Sequence, residues 1–121
     1  MAVKKILIAE DEKPMARALT LKLEHSGFEV THAENGAVAM DFMEKNPYNL
    51  LLLDLVMPKM DGFTVLKTMK EKGIKVPVII LSNLGQKEDE DHARTFGARA
   101  FFIKSNTPIA TIVDKVTEFL Q

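Results

Sequence analysis

The chain contains no cysteine, which removes disulfide frameworks, thiol nucleophiles and cysteine-type zinc sites together. Its three histidines, His25, His32 and His92, lie far apart and show none of the spacing of metal ligands. An excess of one charge is also lacking: 16 Lys and Arg stand against 17 Asp and Glu, and no basic stripe marks a nucleic-acid surface. The longest apolar runs hold four to six residues, too short for a signal-peptide core or a membrane span, so a soluble cytoplasmic protein without membrane insertion is expected. There is no linker, repeat or low-complexity tract. What remains is 121 residues, 46% hydrophobic and 27% charged, the composition of one globular domain with a normal core and no length for a second. A single domain over residues 1–121 is therefore expected, with output by binding, since no segment is left for an effector activity.

Short apolar runs at Ile6–Ala9, Leu50–Leu53, Val76–Leu81 and Ala100–Ile103 have strand length and are bounded by charges, Gly or Pro; uninterrupted runs of this kind predict strands covered on both faces. Phe28–Ala33 alternates apolar and polar residues, which suits a strand at a sheet edge. Pro77 is expected near the start of its strand, where a missing N–H is tolerated. Helical stripes lie between the runs. Ile109, Ile112, Val113, Val116 and Leu120 form the clearest one, with Thr107 expected as its N-cap and Pro108 at the first helical position. Others follow Met15 to Leu23, Asn35 to Met43 and Val65 to Met69, with Gly27 and Gly73 as closing residues. Gln86–Phe96 stands apart, since Ala93 and Phe96 are almost its only apolar residues, and weak docking is predicted for it. Five alternations of strand and helix predict an α/β fold with a parallel, doubly wound sheet.

In such a sheet the functional groups gather beyond the carboxyl ends of the strands. Glu10, Asp11 and Glu12 follow the first strand, Asp54 ends the third, Ser82 and Asn83 follow the fourth, and Lys104 ends the fifth. Carboxylates brought together there repel one another unless a cation sits among them. Oxygen ligands without His or Cys suit a hard ion, and a few carboxylates with room for water suit Mg²⁺. Lys104 adds a positive charge and Ser82 a hydroxyl donor. Together these groups describe a site for a transferring phosphoryl group, with Asp54 as the acceptor nucleophile.

The segments Ile6–Glu12, Leu51–Gly62 (with Asp54, Pro58, Asp61 and Gly62), Ile79–Ser82 and Gly97–Lys104 resemble, in order and spacing, the receiver domain of two-component response regulators, a stand-alone chemotaxis-regulator-like receiver. The resemblance implies a flavodoxin-like sheet of order 2-1-3-4-5. It implies that Asp54 accepts phosphate from a histidine kinase or a phosphotransfer protein, without enzyme activity beyond the domain's own phosphorylation and dephosphorylation. Asp11 and Asp54 would bind Mg²⁺ directly, Val56 through its backbone carbonyl and Glu10 through water. Lys104 would pair with the carboxylate and then with the phosphoryl group, to which Ser82 would donate. Ser82 and Phe101 would form the switch, and the Gln86–Phe96 helix, the Ala100–Ile103 strand and the last helix the face offered to a downstream effector. Pro58 and Gly62 are expected to shape the loop beyond Asp54, Gly62 by permitting a backbone turn that a side chain would strain.

The chain departs from the common pattern in four places. Glu10 stands where Asp is usual, Asn83 where a small residue is usual, Phe101 lacks a phenolic hydroxyl, and Ser105 replaces a proline that normally follows a cis bond. A non-proline cis bond costs about 2.5–4 kcal/mol, so this loop is expected to be rearranged or strained. The rivals are a degenerate receiver, a phosphatase-like Mg²⁺ enzyme, which wants an acid where Val56 stands, and an FMN protein, whose phosphate Glu10 to Glu12 would repel.

Overall fold

The computed structural model describes residues 3–83 and 86–121. Strands β1 (Lys5–Ala9), β2 (Glu29–Ala33), β3 (Leu50–Leu53), β4 (Val78–Ser82) and β5 (Ala100–Ile103) alternate with helices α1 (Lys13–His25), α2 (Gly36–Lys45), α3 (Gly62–Lys72), α4 (Lys87–Thr95) and α5 (Ile109–Leu120). All strand pairs are parallel, and the sheet runs β2-β1-β3-β4-β5. Every carboxyl end therefore opens on one edge. None of the described helices is long and apolar enough to cross a membrane.

The two-residue period of the strands decides which helix lies on which face. Leu7, Ala9, Leu51, Leu53, Val78 and Ile80 enter one core, closed by residues such as Met40 of α2, Leu66 of α3 and Ala93 of α4. Ile6, Ile8, Leu50, Leu52, Ile79 and Leu81 enter the other, closed by Leu19 and Leu23 of α1 and Ile112 and Val116 of α5. The central strands are thus buried on both sides, as uninterrupted apolar runs require. β5 differs from the expectation: it is half-buried throughout, because it forms the second edge of the sheet, opposite β2. α4 contributes only Ala93 to the buried set, in keeping with its polar sequence.

Local chemistry sets the helix ends. Asn35 Oδ1 accepts from Val38 N at 2.9 Å and Asp61 Oδ1 from Thr64 N at 2.8 Å, each a capping bond that satisfies an otherwise orphaned N–H. Gly73 closes α3 in the left-handed region, at φ 70°, where a side chain is disfavoured. The start of α5 lies one residue later than the sequence suggests. Thr107 is extended and makes no side-chain cap, while Pro108, at ψ 146°, occupies the cap and its carbonyl accepts from Thr111 N. A residue before proline is pushed to the extended region, so Thr107 and Pro108 both stay outside the helix.

Gly62 plays a part other than the expected one. Its backbone does not enter the left-handed region; instead, a Cβ built on it would lie 2.4 Å from the Asp54 carbonyl oxygen and 2.7 Å from Leu55 Cα. The glycine is needed for close approach of α3 to the strand end. Gly36 serves the same loop, since a Cβ there would lie 2.1 Å from the Met60 carbonyl oxygen. The left-handed residue is Lys59, at φ 67°, held in a tight turn by Met60 N donating to the Pro58 carbonyl at 2.7 Å.

Gly62→Ala is expected to lower unfolding stability by about 1–3 kcal/mol, the usual cost of overpacking, and Asp61→Ala by about 1 kcal/mol for the lost cap. Urea denaturation checks both; a Gly62→Ala protein as stable as the parent would contradict the close approach.

Candidate functional site

The ladder continues one step past the paired strands. Glu10 N donates to the Ala33 carbonyl at 3.0 Å and Asp54 N to the Ala9 carbonyl at 3.0 Å, so sheet hydrogen bonds fix the backbones of both acids. Ser82 is in register with Ile103, which places Lys104 one residue beyond the hydroxyl. From the end of β5 the lysine side chain runs over the sheet edge to reach β3 and β1.

There Lys104 Nζ meets three carboxylates. It donates to Glu10 Oε2 at 2.9 Å, Glu12 Oε1 at 2.7 Å and Asp54 Oδ2 at 2.8 Å. An ammonium has three N–H donors, so this set uses all of them. Lys104, Glu10 and Asp54 are buried, with side-chain exposures of 5%, 2% and 4%, whereas Glu12 is 57% exposed. Glu10 Oε1 also lies 2.8 Å from Nζ but out of line for a hydrogen bond, which leaves it a buried oxygen without one. Asp54 Oδ1 accepts from Val56 N at 3.2 Å, and Glu10 Oε2 from Glu12 N at 3.0 Å.

Burial penalises charge, and the site answers that penalty unevenly. Burial pushes the Glu10 carboxyl up to about 7, against the pull of hydrogen bonds from Lys104 and Glu12 N–H and with help from the Asp54 charge. Burial also opposes the Lys104 ammonium, yet hydrogen bonds to Asp54, Glu10 and Glu12 outweigh it and hold the group above the ordinary lysine range. One cation therefore faces three acids that sum, when ionised, to a formal deficit of two charges.

This donor set fits a divalent hard cation. Carboxylate oxygens of Glu10, Glu12 and Asp54 lie within 4.8 Å of one another, all ligands are oxygen, and Glu10 Oε1 is a buried acceptor without a donor. Asp11 is exposed and stands outside that trio, but it lines the same cavity of about 250 Å³ together with Glu12, Asp54, Val56, Asn83 and Lys104. Ser82 is fully buried at the end of β4, beneath this edge. Pro58 lies in the loop beyond Asp54, Gly62 opens α3 against the Asp54 backbone, and Phe101 is half-buried against the core shared by α2, α3 and α4.

Three contacts have no counterpart in the sequence reading. Glu12 joins Lys104, although the family resemblance gave roles to Glu10 and Asp11 and none to Glu12. His32 Nε2 donates to the Glu10 carbonyl at 2.6 Å, tying β2 to the acidic loop. Asn83 Oδ1 accepts from Ser105 N at 3.1 Å, so two of the departures from the receiver pattern bond to each other; a proline at 105 would have no N–H to give. The loop is rearranged rather than cis: Lys104–Asn106 forms a 3₁₀ turn, and no peptide bond among the described residues is cis.

A family model described as the response regulator receiver domain matches residues 6–117. The chain is 35% identical over 99 residues to the Bacillus subtilis (strain 168) protein named uncharacterized transcriptional regulatory protein YkoG, covering 82% of this chain and 43% of that one. It spans about half the length of the curated relatives it matches. Among solved structures it is similar to the Francisella response regulator 1452 receiver domain, at TM-score 0.89 and 30% identity over 95% of this chain and 94% of that one. It is also similar to the phosphorylated cyanobacterial phytochrome response regulator RcpA, at TM-score 0.86 and 29% identity over 98% and 94%.

The raised Glu10 value makes a signed prediction. A carboxyl bound to its proton more tightly when folded stabilises the fold fully below the ordinary value of 4.5, and that contribution is lost as pH rises through about 7. In metal-free buffer the parent should lose on the order of 1–3 kcal/mol from this group between pH 4.5 and 8. Glu10→Gln should lack that component, and Lys104 stays charged throughout the window. Urea midpoints measured against pH check this; a difference between parent and variant that does not change with pH would contradict it.

Proposed function

We propose that this chain, which belongs to the response regulator receiver domain family, accepts a phosphoryl group on Asp54 from a histidine kinase or a phosphotransfer protein. The observation that carries the reading is the buried Lys104 ammonium, held at 2.8 Å from Asp54 Oδ2 on the carboxyl edge of the sheet. A cation fixed beside a nucleophilic carboxylate is already where charge arrives on a transferring phosphoryl group, so little reorganisation accompanies the transfer.

A carboxylate oxygen of Asp54 forms the bond to phosphorus as the bond from phosphorus to the donor's imidazole nitrogen breaks, and the electron pair leaves with that nitrogen. Lys104 keeps its proton and turns one hydrogen bond to a phosphoryl oxygen. Ser82 donates its hydroxyl to another. Asp11, Asp54 and the Val56 carbonyl would hold Mg²⁺, with Glu10 behind a water, and the ion when bound supplies neutralisation of the phosphoryl charge. The sheet keeps Glu10 and Asp54 in place, while the cavity beside Asp54 admits the donor.

Output follows from the position of Ser82 and Phe101 on adjacent strands. Ser82 moving toward the phosphoryl group vacates space into which Phe101, only half-buried at rest, can turn. α4 lies next to both in sequence and buries only Ala93, so displacing it disturbs little core. The face of α4, β5 and α5 is the one offered to a downstream effector, in the cytoplasm where such kinases deliver phosphate.

Acetyl phosphate with Mg²⁺ should add one labile phosphoryl group, read by intact mass, that is absent in Asp54→Asn and when EDTA removes the metal. Lys104→Ala should slow the reaction by about 10²–10³, as loss of a charge-stabilising donor does elsewhere. No adduct from acetyl phosphate or phosphoramidate in the parent would overturn the reading.

A further inference from the structure

All three N–H donors of Lys104 are engaged at rest, by Glu10, Asp54 and Glu12. A phosphoryl group on Asp54 needs one of them, so one existing bond must break. The three partners differ in what release costs. Glu10 is buried, and stripping its donor strands a carboxyl group in a poor solvent, while Asp54 carries the phosphoryl group itself and stays beside Nζ. Glu12 is 57% exposed, and water can replace its lysine directly.

Glu12 is also held toward Lys104 at the expense of a local alternative. It occupies the N-cap of α1, yet its side chain makes no capping bond, because the carboxylate is drawn over the cavity to Nζ. On release it stays beside the positive end of α1, where an anion is favoured. The backbone of Glu12 is meanwhile fixed, by its N–H to Glu10 Oε2 at 3.0 Å and by its carbonyl accepting from Ala16 N at 3.0 Å. The motion required is that of one side chain.

We infer that Glu12 is a positioning residue that straps the third N–H of Lys104 in the resting protein and yields it to the phosphoryl group formed on Asp54. The inference rests on Asp54 being the acceptor. The strap competes with the phosphoryl oxygen for the same donor, so it restrains phosphorylation and weakens retention of any phosphoryl-like anion. Its effect depends on reach rather than charge: a side chain one methylene shorter keeps the negative charge but cannot span the distance.

Glu12→Asp and Glu12→Ala test this together, with acetyl phosphate and Mg²⁺ as the donor system and beryllofluoride as a non-transferring anion probe. Both variants should be phosphorylated faster and bind beryllofluoride more tightly than the parent, by about two- to fivefold, the yield of one half-exposed ion pair. The ¹⁵N resonance of the Lys104 ammonium in the unphosphorylated protein should move in both, a change that loss of helix stability alone would not give. If Glu12→Asp matches the parent while Glu12→Ala is faster, the effect is one of charge and the strap is refuted. Unchanged rates, beryllofluoride affinity and Lys104 resonance in both variants refute it as well. If the parent itself takes neither phosphate nor beryllofluoride, the phosphoacceptor reading fails first, and an unaltered Lys104 resonance in the variants then refutes the strap independently.

Discussion

Everything at the carboxyl edge depends on one ammonium among three carboxylates. Lys104 touches the ends of β1 and β3 from the end of β5, over distances of 2.7–2.9 Å, and so ties the two buried acids to a strand at the far edge of the sheet. Remove the cation and Glu10 and Asp54 are left as neighbouring buried acids, an arrangement that must protonate, bind metal or open. The site is therefore held together by a charge balance that centres on one group. With all three acids ionised it would still fall two formal charges short of neutrality, and the buried Glu10 carboxyl, pushed up to about 7, is where that shortfall is felt.

The fold can sustain this because the sheet is anchored from both sides. Two separate cores bury alternate residues of β1, β3 and β4, and the hydrogen-bonded ladder extends to Glu10 and Asp54 themselves. The loop after Asp54 is packed by two glycines that admit backbone oxygens where a Cβ could not stand, and by a left-handed Lys59. On the β5 side the chain is only half-buried, and α4 is attached through Ala93 and through ring stacking of His92 on Phe63 at 4.6 Å. The acids thus sit on strands buried from both sides, next to an edge strand and a helix that bury little of their surface.

Asn83 and Ser105 illustrate how departures from a pattern can be coupled. Each looks like an isolated substitution in sequence, one too large and the other missing a ring. In the structure they form a single hydrogen bond that fixes the turn carrying Lys104, made possible because serine supplies the N–H that proline lacks. The pairing spans 22 residues, so no local rule could have joined them.

The alternation of apolar runs with helical stripes was enough to establish the α/β class, the parallel sheet and the strand ends on which acids, hydroxyl and lysine sit, because burial on both faces leaves a plain mark on a strand and capping residues mark helices locally. Asp54, Lys104, Ser82 and Glu10 were legible for that reason. What the chain alone could not decide was which acids meet the lysine. Side chains at three adjacent positions, Glu10, Asp11 and Glu12, point in different directions once the backbone turns from β1 into α1, and only the folded geometry sends Glu10 and Glu12 to Nζ while Asp11 stays at the rim. The same holds for Gly62 and Gly36, whose role is to admit a backbone that is distant in sequence. The periodic part of the structure is written locally, by hydrophobicity and backbone preference; contacts across the sheet edge depend on distances that exist only after the strands have been placed side by side.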